Sequence, residues 1–229
     1  MNTQERSRSL WETRRSAEEA LEGPLRTHAD LLAEAFALFD VCGDRLVLSD
    51  MDFGRVCALV IAKARSFALG CYSLALDGLA QESGALARPL FESLELLEYL
   101  RLDPKRAQEV IENRKPSAGV IARRIEGKFQ DLREHFNQHA SHLSLGPESI
   151  RHLVNFQEGR LRTVLPNDER VLRANLNILI AVICAVLRVA VGCLAVAQGH
   201  FPEDLTASVW ELSRRAYADS IDAAGKFEI

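Results

Sequence analysis

The chain has 229 residues, 48% of them apolar, with 28 basic against 32 acidic residues and a formal net charge of −4. This length and apolar share supply one continuous core, and the lack of a basic excess leaves no electrostatic footprint for a phosphate backbone, so nucleic acid is not an expected partner. The polar start MNTQERSRSLWETRRSAEE carries no apolar run of the kind a secretory leader needs, and the five cysteines, with no CxxC pair among them, read as small core residues of a reducing, cytoplasmic compartment.

Helix signals follow one another with short breaks, and almost nowhere does the two-residue alternation of a strand occur. The expected fold is therefore all-α: one domain over residues 1–229, a multi-helix bundle of about seven or eight helices. A polar first helix over about residues 4–22 ends at Gly23-Pro24, which makes residues 1–23 a peripheral element, and a second runs to about residue 40, before Gly43. Ser49 with Asp52 three residues on resembles a capping box and opens a long apolar helix to about Leu79. Ser83 or Gly84 begins the next helix, with Pro89 inside its first two turns, where a missing N–H costs least, and Leu102 at its end.

Asp103-Pro104 then caps a short helix to about Arg114, and Ser117 opens a long one to about Leu143, stopped by Gly146-Pro147. Residues 153–165 read either as a small β-hairpin or as an ordered loop. Asn167 or Asp168 caps the most apolar helix, which ends at Gly199, and Pro202 leads into a last amphipathic helix to about Ala223. Leu176 to Ala197 has the length of a membrane span, but Arg188 near its middle costs about 2.5–3.5 kcal/mol on insertion scales, so a buried bundle helix is expected instead. No long repeat is visible, which argues against a solenoid.

Three polar stripes lie on helices otherwise suited to the core. Arg88, Glu92, Glu95 and Tyr99 share one arc of a helix whose remaining circumference is largely leucine. Asp131, His135, His139 and His142 share another, and Asn177, Ala181, Cys184, Arg188, Gly192 and Ala195 form a third, of small or polar residues. A charged line in apolar surroundings needs partners. One account keeps Arg88 with Glu92 as an i, i+4 pair and the histidines as a wet boundary. The sharper account has the stripes face one another as a ligand pocket bounded by Arg88, Glu92, Glu95, Tyr99, His139 and Arg188. It expects Arg188 to be buried against Glu92 or Glu95, and His139 to lie within hydrogen-bond reach of the Arg88/Glu92 line. Self-association, most simply as a dimer, is expected because so apolar a set of helices exceeds what one subunit covers.

The run Leu86-Ala87-Arg88-Pro89-Leu90-Phe91-Glu92, preceded by Leu76-Asp77-Gly78-Leu79 and followed by His139-Ala140-Ser141-His142-Leu143-Ser144, resembles a family of bacterial all-helical proteins of unknown function with an Arg-x-x-x-Glu helix and a later Ser/His helix. The likeness spans roughly residues 51–197 and implies a fold and a polar cluster rather than a reaction. A second, weaker resemblance is to the HEPN ribonuclease and toxin group, carried by the spacing of Arg133 and His139. It implies metal-independent RNA cleavage by those two residues. On a continuous helix, however, they stand about 120° apart, and Glu134 replaces the short polar residue common there.

His135 and His139 have the i, i+4 spacing of a metal-binding pair, but His142 is about 10.5 Å from His135 along the axis, beyond one ion, and no HExxH or paired Glu-x-x-His motif occurs. No metal or other cofactor is expected, and no GxGxxG, GxxxxGK[ST] or GxSxG fingerprint is present. The leading expectation is binding of a small ligand or protein partner in a pocket between helices. Ribonuclease activity through Arg133 and His139 is the alternative.

Overall fold

The computed structural model describes residues 10–49, 51–139, 154–155, 160–161 and 169–225. It is an all-α multi-helix bundle with the order α1 (Leu10–Glu22), α2 (Arg26–Val47), α3 (Asp52–Leu76), α4 (Ala80–Leu102), a 3-10 turn (Pro104–Arg106), α5 (Ala107–Ile111), α6 (Ala118–Arg124), α7 (Gln130–His139), α8 (Glu169–Gln198) and α9 (Glu203–Gly225). Between α7 and α8, Val154–Asn155 pairs antiparallel with Arg160–Leu161, which is the hairpin alternative for that stretch.

The core follows from sequence periodicity. In α2 the buried residues Leu31, Leu32, Ala35, Leu38, Phe39, Cys42 and Leu46 recur every three or four positions and form one stripe. In α8 buried residues occupy most of the circumference, as in a helix enclosed on several sides, and it packs against α2, α3, α4 and α9. Both α3 and α8 are long and apolar enough to cross a membrane by length and composition, yet 67% of the α8 window is buried inside the bundle. All five cysteines are free and buried.

Four boundaries differ from expectation, each for a local reason. Helix α2 continues through Gly43 to Val47, because one glycine weakens a helix by only about 1 kcal/mol and the apolar stripe runs on to Leu46. Ser49 does not cap α3; its hydroxyl accepts from the Met51 N–H at 3.3 Å, and Met51 is the cap position. Helix α4 starts at Ala80, not at Ser83 or Gly84, since the Ser83 hydroxyl donates to the Cys71 carbonyl at 2.8 Å and ties α4 to α3. Pro89 therefore sits in the helix interior, where it removes one main-chain bond.

The fourth difference shapes the site. The long helix expected from Ser117 is broken into α6 and α7 at residues 125–129. Glu126 and Gly127 have φ of 57° and 66°, the Gly127 N–H donates to the Ala122 carbonyl and the Glu126 N–H to the Arg123 carbonyl. That is a helix-ending Schellman pattern, and glycine carries its left-handed conformation without a Cβ clash. On an unbroken helix, Lys128 and Arg133 would stand about 140° apart. The break turns both toward α4.

Candidate functional site

The first polar stripe divides along α4. At its exposed end, Arg88 lies 3.4 Å from Glu92, an i, i+4 pair with both side chains more than a third exposed. Such a pair contributes about 0.3–0.5 kcal/mol. Further along, Glu95 of the stripe and Glu98, which the stripe did not include, are only 2% and 1% exposed. Arg133 of α7 donates from Nε to Glu95 at 3.0 Å and also to the Ala118 carbonyl, with its guanidinium over the Phe91 ring. Glu98 accepts from Arg101 Nε at 2.7 Å and from Lys128 Nζ at 2.6 Å.

Tyr99, fully buried, donates its hydroxyl to Glu109 at 2.7 Å and accepts from Arg124 at 2.5 Å, while Arg106 stacks on its ring and donates to its carbonyl. Each buried polar group of this face thus has a partner of opposite or complementary character. Burial pushes the Glu95 carboxyl above its ordinary value, more than Arg133 pulls it down, with the Glu92 charge adding to the rise. Burial also acts on Glu98, but Arg101 and Lys128 outweigh it and leave that carboxyl below the usual range.

The expected convergence of Arg188 with this face does not occur. Arg188 is exposed and stands in the wall of a separate groove, because the part of α8 that carries it borders α9, and Glu95 is answered by Arg133 instead. Arg88, Glu92, Glu95 and Tyr99 therefore do not form one pocket with Arg188. The Arg133 of the ribonuclease alternative is engaged by Glu95, and the side chains of His135 and His139, like all of His142, lie outside the described residues, as does the expected contact of His139 with the Arg88/Glu92 line.

The groove has a volume of about 610 Å³, within the ordinary range for small-molecule sites, and is formed by α8 and α9 over Leu31 of α2. Its α8 wall is the third stripe read from sequence: Asn177, Ala181, Cys184 and Arg188 all line it. Gly192, next on that stripe, leaves the groove and meets α4, where a Cβ would stand 2.7 Å from Arg101 Cδ. Opposite, α9 contributes Trp210, Ser213 and Tyr217, with Trp210 60% and Tyr217 69% exposed at the rim.

The charges of the groove are unequal in kind. Arg214 is bound to Glu211 at 2.6 Å, and Arg215 just outside is shared between Glu34 and Glu211. Among the described residues Arg188 makes no ion pair, so the net uncompensated charge of the groove is one guanidinium. At one end, Asn177 Oδ1 lies 2.8 Å from Nε2 of the buried His28. Near the middle, burial raises the Cys184 thiol, while Ser213 and Arg188 act in the opposite direction. The thiol is therefore protonated at neutral pH and serves as an apolar wall rather than as a nucleophile.

The sequence signal for this groove is the third stripe, of small or polar residues; Trp210 and Tyr217, seven apart on α9, are the half that the stripes did not include. Comparison with protein-family models, with curated proteins and with solved structures gives no match.

Proposed function

We propose that this protein binds an amphipathic anion in the α8–α9 groove, with the apolar body between Ile180, Cys184 and Trp210 and the negative group against Arg188. The observation that carries this is Arg188, without an ion pair among the described residues, beside Ile180, Ala181 and Cys184 in the groove wall. Exposed to solvent, the guanidinium stands there at little cost, and a ligand anion gains a charge-assisted hydrogen bond from it. From Asn177 to Arg188 the wall runs about 16.5 Å along the helix axis, so the favoured ligand is elongated, as an acyl or fused aromatic carboxylate is. Ribonuclease chemistry would require Arg133 to leave Glu95, and no observation favours that release.

The chain has two tryptophans, so Trp11→Phe leaves Trp210 at the groove rim as the sole indole reporter. Titration of that variant with dodecanoate should shift Trp210 emission to the blue in a saturable way. Adding Arg188→Gln should weaken binding about tenfold, the loss of one charge-assisted contact, and should leave the response to dodecanol unchanged. An unmoved emission, or equal affinity with and without Arg188, would rule the assignment out.

A further inference from the structure

A second groove, of about 450 Å³, runs along the outer face of α3 between α4 and the segment from α5 to Lys115. Its floor is Val56, Val60, Phe67 and Leu96, and two apolar side chains stand open at its edge, Leu59 at 70% and Ile111 at 50% exposure. Helix α3 is apolar enough to cross a membrane, yet only 39% of that window is covered in the bundle, against 67% for α8. Of the exposed α3 residues, Leu59 and Lys63 line this groove.

Its rim is positively charged. Lys63 and Lys115 both line it, and neither forms an ion pair with a described residue; the Lys63 ammonium lies 5.8 Å from the Phe67 ring centroid. The one acid in the lining, Glu92, is paired with Arg88. From Val56 to Phe67 the face extends about 16.5 Å, or three helical turns.

We propose that this groove is a docking site for an amphipathic helix of another protein, about three turns long, with aliphatic anchors at i, i+4 and i+7 and acidic residues flanking them. The anchors seat on the floor beside Leu59, and the acids meet Lys63 and Lys115. A membrane surface fits less well, because adhesion to anionic lipid uses clusters of about four to eight basic residues on a protruding apolar face, whereas here two lysines border a concave one.

The test uses the full chain and two fluorescein-labelled peptides with leucine at i, i+4 and i+7, one with glutamate at the flanking positions and one with lysine. Fluorescence anisotropy at low salt should report binding of the glutamate peptide alone. Lys63→Glu with Lys115→Glu should weaken that complex about tenfold and give measurable binding of the lysine peptide, and Leu59→Asp should abolish binding of the glutamate peptide. All three positions are at the surface, so circular dichroism should show unchanged helix content. Binding of neither peptide, equal binding of both, or indifference to charge reversal would overturn the proposal. So would retention on anionic vesicles that depends on the same lysines, or a dimer in sedimentation that Leu59→Asp dissociates, since each assigns the groove a different occupant.

Discussion

Helices α4 and α8 each carry a line of polar residues through an apolar surface, and the bundle treats the two lines in opposite ways. On α4, Glu95 and Glu98 are enclosed, and each is met by cations from the α6–α7 segment or from its own helix. On α8, Arg188 remains open to solvent beside an apolar groove. Polarity within an apolar stripe is thus not what marks a ligand site. Charge left uncompensated after folding is a better mark, because burial of an unpaired ion costs several kcal/mol, while an exposed one waits at little cost for a ligand.

The comparison breaks most visibly at Arg133. Arg133→Met leaves Glu95 enclosed without its cation, and urea unfolding should show a loss of about 3–5 kcal/mol. The double variant Glu95→Leu with Arg133→Met should recover most of that loss, since a matched apolar pair needs no compensation. A loss below about 1 kcal/mol for Arg133→Met would mean that the α4 face is not closed by charge pairing.

The two α4 carboxyls are shifted in opposite directions, which allows a sharper test. The depressed Glu98 contributes stability that is present above the unfolded glutamate value and is lost as pH falls through its folded value. The raised Glu95 contributes stability that is present below the unfolded value and is lost as pH rises through its own folded value. Glu98→Gln should therefore reduce the stability lost on acidification below the ordinary glutamate range. Glu95→Gln should remove the loss that the wild-type chain undergoes as pH rises just above that range. Unfolding midpoints measured between mildly acidic and neutral pH check both slopes; parallel curves for the two variants would contradict the assignment.

The smallest effect is expected on α8. Arg188→Leu should change unfolding stability by no more than about 0.5 kcal/mol, because no described residue depends on that guanidinium. Thermal denaturation provides the measurement, and a drop of more than about 2 kcal/mol would show that Arg188 is a structural residue like Arg133.

Local sequence determined the helical class, the central place of α8 and, apart from Glu98, the residues of both polar lines, since all three rest on periodicity and composition within single helices. It also placed Asn177, Ala181, Cys184 and Arg188 on one arc, which is the groove wall. Only the tertiary structure decided which line meets which. Arg188 and Glu95 have complementary charges and each sits on an apolar helix, yet pairing depends on which faces two helices present to each other, and that is set by packing of the whole core. The turn at Glu126–Gly127 mattered as much. Read as part of one long helix, Lys128 and Arg133 point in different directions; with the helix ended there, both reach α4, where Arg133 meets Glu95, a carboxylate that Arg188 was expected to meet, and Lys128 meets Glu98. A break of a few residues thus supplied cations to two buried acids, and Arg188 stands in the groove without a described partner, because ion pairs are local in space and not in sequence.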